Sequence, residues 1–558
     1  MRAGSRRPTP SGDGRILTIA LLGVVLTLLW RGTVWAASSF PPHSGDSPWS
    51  FTVIEEPSST FVVNDTDSST IDTYLFRPEG PIVIDLPIRR YVGATDPNGF
   101  LLNVSDLVRR GIVGPTVNIT LPAFDVDEHT FPVLDCDGDG IDDQLMPEVD
   151  KLYLNDDLLG TLKGDNNIWV SQSFSIPIAK LKFPSAPGDT AVNRFRVDID
   201  TGNENVTLSS GAVGCEVWAV EIDWIGIKFE ASSPVIMVHG IRSAGDTFSN
   251  FKAGLEAEGI KANDNSISMT DPAAPNPIPP GCPDIPYNNT FKSHVDQLRS
   301  FVPLIAQRFG SESVHYVTHS KGGLDTRGFL SSTVSTPIQV QVGTMGGEPV
   351  MRDLEARSLV TLDTPHQGSV LANYGVEARQ LNMFQALTNS LNAAAAKGLE
   401  GSYYCDLTPT RASAYVASTA LPTGVQTASV ASDADCNGNQ HIESATICSA
   451  GRTESSGFQG SILAATLADR LYRVVGGVAD VTITVTPRGR FLPDKITVTE
   501  TPTASFQTND VIVTQTSAGL YRRYAISGWH HLNVHSRDNA QTIARDAQGG
   551  GLVDWRRR

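Results

Sequence analysis

The chain has 558 residues, too many for one compact core, so two or three domains are expected. Apolar residues are 40% and charged residues 18%, a composition that excludes a disordered chain. Acidic residues outnumber basic ones 60 to 43, and the formal charge of −17 repels a polyanion, which argues against nucleic acid as a partner.

Arg2, Arg6, Arg7 and Arg15 form a basic start, residues 16–30 a short apolar run, and Val34-Trp35-Ala36-Ala37 a small-residue cleavage site. This pattern predicts a Sec-type signal peptide over 1–37 and a secreted protein. The run is short of the roughly 20 residues a full span needs, so an uncleaved membrane anchor ranks second and no stable span is expected after cleavage. The six cysteines (Cys136, Cys215, Cys282, Cys405, Cys436 and Cys448) are an even count, which in an exported chain suggests disulfides. A domain boundary near 231 groups Cys136 with Cys215 and leaves four beyond it.

Residues 45–231 predict β structure. Phe195, Val197 and Ile199 alternate with Arg194, Arg196 and Asp198, as in a half-buried strand. Trp218, Val220, Ile222 and Trp224 alternate likewise, then the parity shifts to Ile225, Ile227 and Phe229, which suggests a bend at Trp224. A β-sandwich accessory domain is the expected fold. Trp169, Trp218 and Trp224 offer aromatic faces for a carbohydrate or cell-surface contact, against the commoner role of buried core residues.

Within it, Asp135-Cys136-Asp137-Gly138-Asp139-Gly140-Ile141-Asp142-Asp143 sets carboxylates at alternate positions around glycines. Ca²⁺ takes six to eight oxygen ligands. Asp135, Asp137, Asp139, the Ile141 carbonyl and Asp143 are the candidate ligands of a structural Ca²⁺. The loop resembles the start of an EF-hand-type loop, but its twelfth position is Met146 rather than Glu, with Glu148 a substitute. An acidic turn without an ion is the alternative.

From 232 to 547 the texture changes. Val235-Ile236-Met237-Val238 is continuously apolar, as in a strand buried on both faces of a parallel sheet. Val295, Leu298, Val302, Ile305 and Phe309 recur at helical spacing; residues 314–317 and 359–362 are further strands, and 321–330 a helix. Alternation of strand and helix predicts a doubly wound, mostly parallel α/β sheet. Residues 375–463 read as a cap-like insertion whose first helix carries Leu381, Phe384, Leu387 and Leu391. Residues 471–475 read as a buried strand, 478–505 as an added hairpin, and 548–558 as a tail.

Thr318-His319-Ser320-Lys321-Gly322-Gly323 lies between a short apolar strand and a helix. Acyl transfer needs a serine held on a sharp strand-to-helix turn, with small residues two before and two after it. Gly322 fits, and Thr318 is bulkier than the usual glycine. Val238-His239-Gly240-Ile241 follows the first buried strand, and the N–H groups of Ile241 and Lys321 would pair as an oxyanion hole.

These two motifs, with Thr364-Pro365-His366-Gln367-Gly368-Ser369, resemble the α/β-hydrolase superfamily, nearest to bacterial lipases and esterases and to the hydrolase domain of GPI inositol-deacylase-like proteins. The resemblance covers 230–375 well and 465–547 loosely. It implies Ser320 as nucleophile, followed in the chain by an acid and then a histidine. Asn509-Asp510 before an apolar run resembles the family's acid loop, so Asp510 is the expected acid, with Asp363 second and Asp480 third. His531, three residues before the apolar Val534, matches the family's histidine; His530 and His535 are the alternatives. His366 would shape the site wall.

The expected activity is carboxylic ester hydrolysis of the lipase or esterase kind, on an ester or lipid substrate, with no cofactor needed for catalysis. A phospholipase or acyltransferase using the same triad is an alternative. A surface- or carbohydrate-binding protein with a degenerate hydrolase domain is another.

Overall fold

The computed structural model describes residues 50–55, 73–93, 102–109, 111–129, 133–203 except 137, and 218–269 except 242, 259 and 261–265. It further describes 290–373 except 346–347, 403–448 except 444–445, and 462–548 except 478, 487–494, 503–504 and 532. The predicted signal peptide, Asp137, the insertion helix bearing Leu381 to Leu391, and the tail beyond Gln548 lie outside these residues.

Alternating side chains build the N-terminal region. Ile82, Ile84, Leu86 and Ile88 face inward along β3 (Ile82–Ile88), while the residues between them face out. β3, β10 (Ala191–Asp198), β7 (Lys151–Leu154) and β8 (Asp157–Thr161) form a four-stranded antiparallel sheet in that order. The second antiparallel sheet runs β1 (Ser50–Glu55), β12 (Ile225–Ala231), β4 (Val113–Phe124), β11 (Ala219–Ile222) and β2 (Thr73–Phe76). β9 (Trp169–Pro177) pairs with β4 as well. Leu86, Leu154 and Phe195 from one sheet share a buried cluster with Val117, Ile119 and Ile227 from the other. Each such side chain contributes about 1.5–3 kcal/mol relative to exposure. The chain breaks strand at Asp223-Trp224, where the parity of apolar residues shifts; β11 and β12 pair with different stretches of β4 and differ in their other neighbour, β2 and β1. A small hairpin, β5 (Val133–Leu134) with β6 (Asp143–Gln144), brackets the acidic loop.

Arg90 fastens the two regions. Its guanidinium is 2% exposed, and Nη2 donates to the carbonyls of Ala231 and Ser232 at 3.2 Å, just before β13 (Val235–Val238) begins. Tyr91 N–H donates to Phe309 O at 3.2 Å, tying the same segment to the end of the helix Thr290–Arg308.

The C-terminal region is built on six parallel strands. Their order is β14 (Ser266–Ile267), β13, β15 (Ser313–His319), β18 (Glu355–Leu362), β19 (Gln426–Asp433) and β22 (Arg522–Ser527). β13 and β15 are buried along their whole length, since helices cover both faces of a parallel sheet. One apolar cluster, with Val235, Val317 and Val360, packs against the helices Ser249–Ala257 and Arg537–Gln548. The other, with Ile236, Val314 and Leu359, packs against Thr290–Arg308 and Lys321–Ser335.

Two antiparallel hairpins leave this sheet: β16 (Gln339–Met345) with β17 (Glu348–Asp353), and β20 (Ala479–Thr486) with β21 (Lys495–Pro502). Residues 471–475, predicted as a strand, instead end the helix Ile462–Val475. A short apolar run is ambiguous between the two, and here Leu471 and Tyr472 extend an apolar helical face begun at Ala468.

Candidate active site

The site lies at the C-terminal ends of the parallel strands. β15 ends at His319, and the helix Lys321–Ser335 begins one residue after Ser320. Ser320 sits at φ 54°, ψ −132°, the sharp turn between them. Its N–H donates to Leu362 O at 2.9 Å and its carbonyl accepts from Gly323 N at 3.1 Å. Two glycines permit the turn. A Cβ on Gly322 would lie 2.4 Å from His239 O, and one on Gly240 would lie 2.6 Å from Ser320 Cβ. Thr318 fits because its side chain turns into the sheet, where Oγ1 donates to Val360 O at 3.3 Å.

His531 Nε2 lies 2.8 Å from Ser320 Oγ, and its Nδ1 lies 2.7 Å from Asp510 Oδ2. With a carboxylate at Nδ1, that nitrogen carries the proton and Nε2 accepts from the serine hydroxyl. The other Asp510 oxygen, Oδ1, accepts from the N–H groups of Ile512 at 2.8 Å and Val513 at 2.6 Å. The turn that presents it is tight: Asp510 N donates to Val513 O, and Val511, at φ 80°, donates its N–H to Asn509 Oδ1. Positive φ on a β-branched residue costs on the order of 1–3 kcal/mol, so surrounding contacts must hold it. Of the nine described non-glycine residues with positive φ, six are Asp, Asn or Gln outside this cluster. The other three, Ser320, Asp363 and Val511, converge here.

Asp363, at the end of β18, reaches the same place. Its carboxyl, the Asp510 carboxyl and an imidazole nitrogen of His531 lie within 4.8 Å of one another, all buried. Burial pushes the Asp363 carboxyl well above the usual carboxylate range, and the Asp510 charge adds to the shift. Asp480 lies instead on β20, paired with Thr501. His530 accepts Val534 N–H at its carbonyl and donates its own N–H to Asn533 Oδ1, capping the turn that carries His531. His535 packs between Phe248 and His319, and burial first, then His531, pushes it down to about 4. His366 lies behind β18, 3.2 Å from Thr361 Oγ1, and burial pushes it down to about 3. The Thr364 side chain sits where a Cβ on Gly323 would fall, so the Thr-Pro-His segment packs against the start of the nucleophile's helix.

Lys321 opens that helix, where the first N–H groups have no intrahelical acceptor. The Gly240–Ile241 peptide lies beside Ser320 through the close Gly240 contact. The Lys321 side chain is fully buried and points away: Nζ donates to Asp325 Oδ1 at 2.5 Å and lies 3.1 Å from His294 Nδ1. Burial raises the Asp325 carboxyl, but Lys321 and His294 outweigh it and hold the group below its usual range. The sequence signal for this pair is the helical i, i+4 spacing. A second unforeseen contact is His319, whose Nε2 donates to the His531 carbonyl at 2.8 Å and so braces the loop bearing the imidazole. Burial, then His531 and His535, push the His319 imidazole well below its usual range.

A disulfide braces the loop from behind. Cys436–Cys448 follows β19, and the Cys448 side chain packs on Gly528, just before Trp529 and His530. Cys136 and Cys405 are also disulfide-bonded.

In the acidic loop, Asp135 accepts the N–H groups of Asp139 at 3.0 Å and Gly140 at 2.9 Å. Asp139 accepts that of Ile141 at 2.7 Å, and Asp143 that of Cys136 at 3.4 Å. Asp137 lies outside the described residues. Among the described residues the one set of three acidic or imidazole ligand atoms within 4.8 Å of one another is Asp363, Asp510 and His531. Trp169, Trp218 and Trp224 are buried, 8% exposed or less, so none presents an open face for a sugar. No described helix is long and apolar enough to cross a membrane.

No protein-family model matches the chain, and no curated protein matches it. Among solved structures it is similar to Bacillus licheniformis lipase BlEst2 in mature form, at 16% identity and TM-score 0.34, over 56% of this chain and 90% of that one. Lipase 1 from Pelosinus fermentans matches at 13% identity and TM-score 0.32, over 56% and 98%. EstA from Clostridium botulinum matches at 12% and 0.31, over 56% and 86%. These three are bacterial lipases and esterases, and the GPI inositol-deacylase resemblance has no counterpart among them. Similarity this distant adds nothing to the geometry.

Proposed function

We propose that the chain is a secreted carboxylic ester hydrolase of the α/β-hydrolase type. The observation that carries this reading is the continuous hydrogen-bonded line Ser320 Oγ–His531 Nε2, His531 Nδ1–Asp510 Oδ2 on a strained strand-to-helix turn. His531 takes the Ser320 proton as Oγ attacks the ester carbonyl, and Asp510 stabilises the imidazolium that forms. The N–H groups of Ile241 and Lys321 hold the oxyanion. His531 then protonates the leaving alcohol, and water, deprotonated by the same imidazole, releases the acid from Ser320. The Ile241 side chain packs with Leu324, Phe291, Leu407 and Tyr415, and this apolar wall beside the oxyanion position favours an apolar acyl group; Leu407 and Tyr415 come from the expected 375–463 insertion, which also carries the core strand β19 and so is not a cap throughout.

A panel of short-chain esters, triglycerides and phospholipids, run with wild type and Ser320→Ala, tests the reading. Turnover of at least one class by wild type, and its loss in a folded Ser320→Ala, is expected. Full turnover in the variant would falsify the assignment.

In this reading the two N-terminal sheets form a β-sandwich accessory domain, and the acidic loop binds Ca²⁺ in a structural role. The loop's carbonyl and carboxylate oxygens suit a hard cation, with Asp135, Asp137, Asp139, the Ile141 carbonyl and Asp143 as ligands. Chelation with EDTA is expected to lower the melting temperature without changing ester turnover at low temperature. A melting temperature indifferent to chelator and to added Ca²⁺ would remove the ion from the account.

A further inference from the structure

We propose that Asp363 keeps its proton at neutral pH and donates it to Asp510, so that the orienting acid of the site is a one-proton carboxyl pair. Asp363 acts as a positioning residue behind Asp510. The inference rests on the proposed function only in taking Asp510 as the orienting acid.

Four observations carry it. Both side chains are fully buried, and their carboxyls lie within 4.8 Å of each other. Two like charges at that separation in a dry site cannot both be retained without a cation between them, so one carboxyl holds a proton.

The donors then decide which one. Asp510 receives three, from His531 Nδ1, Ile512 N and Val513 N, and every one favours the carboxylate. Asp363 Oδ1 receives the Ser432 N–H at 2.7 Å, and the Ser432 hydroxyl also favours its carboxylate, while its Oδ2 is buried and meets no donor among the described residues. A hydroxyl at Oδ2 satisfies that atom and supplies Asp510 with a further hydrogen bond.

Among the described residues, the acidic and imidazole groups clustered with Asp363 are Asp510 and His531. Nor does a metal ion suit this trio, because the 2.7 Å contact of His531 Nδ1 with Asp510 Oδ2 leaves no room for an ion between them. Finally, the backbone of Asp363 is pinned at φ 47°, with its N–H donating to Val430 O at 2.9 Å, and the Ser432 N–H holds its carboxyl at the sheet end.

The pair explains how a fully buried carboxylate stays fixed against the imidazole. The Asp363 proton gives Asp510 one more hydrogen bond, and it spreads the negative charge over two groups.

The test compares full-length wild type with Asp363→Asn. Difference infrared spectra at neutral pH should show a buried neutral-carboxyl band in wild type that the variant lacks. The folded wild type keeps one proton that its unfolded chain has released. Its folding equilibrium constant should therefore fall about tenfold per pH unit relative to the variant's, between about pH 5 and 7. A merely structural Asp363 would give a ratio that does not change with pH. That flat ratio, or the absence of the band, overturns the proposal.

Should Asp363→Asn not fold, ¹³C NMR of wild type labelled at the aspartate carboxyl carbon decides. A resonance held at the neutral-acid position at neutral pH and moved by Asp510→Asn supports the pair. No such resonance overturns it. These readouts do not depend on turnover, so an inactive enzyme with the proton in place and an active one without it are distinguishable.

Discussion

Two pairs of buried carboxyls lie far apart in this chain, and they differ in what surrounds them. Glu148 and Asp150 sit just before β7 at 2% and 0% exposure, and Asp363 and Asp510 sit at the end of the parallel sheet, both fully buried. In each pair burial raises a carboxyl and the neighbouring carboxyl raises it further. Glu148 Oε2 accepts from Asp127 N at 2.8 Å and Asp150 Oδ1 from Asp200 N at 2.9 Å, while Glu148 Oε1 and Asp150 Oδ2 meet no donor. At the sheet end the donors to Asp510 include an imidazole, and the far side of that imidazole reaches a serine on a strained turn. A perturbed carboxyl is thus no mark of catalysis by itself. The line of groups that can pass a proton onward is what separates the two regions.

The comparison can be broken from either end. Asp510→Asn should lower kcat by about 10⁴, because an amide at Nδ1 favours the wrong imidazole tautomer. A variant within tenfold of wild type would show that the acid lies elsewhere. Glu148→Gln should leave kcat unchanged and act on stability instead. The Glu148 carboxyl is raised in the folded state, first by burial and then by Asp150. Such a group favours folding fully only below its unfolded pKa, and that contribution is lost as pH rises. The variant should therefore gain on wild type above about pH 4.5, by at most ~1.4 kcal/mol per pH unit. Denaturant unfolding at several pH values reads this, and an advantage independent of pH would contradict it.

Much of the C-terminal region was legible in the sequence because its signals are local. The run Val235–Val238 has no polar residue and forms a strand buried on both faces. The glycines flanking Ser320 are demanded by contacts below 3 Å that no other residue could make. The strand break at Asp223-Trp224 is visible as a shift of parity. Other features depend on tertiary contact and had no such signal. Residues 471–475 are apolar in either structure, and the packing of the helix Ile462–Val475 decides between them. The hold of His319 on the His531 carbonyl spans 212 positions, so motif spacing could not reveal it. Asp363 and Asp510 read as competing acids, since either could serve an imidazole. Only their shared burial turns rivals into partners.

The central claim is that Ser320 is a nucleophile activated by His531. Treating folded wild-type protein with a fluorophosphonate and mapping the adduct by mass spectrometry tests it most directly. The account predicts one covalent adduct, on Ser320, that fails to form when His531 is replaced by alanine. A wild-type protein that takes no label at Ser320, or a His531→Ala protein labelled as fast as wild type, would contradict it.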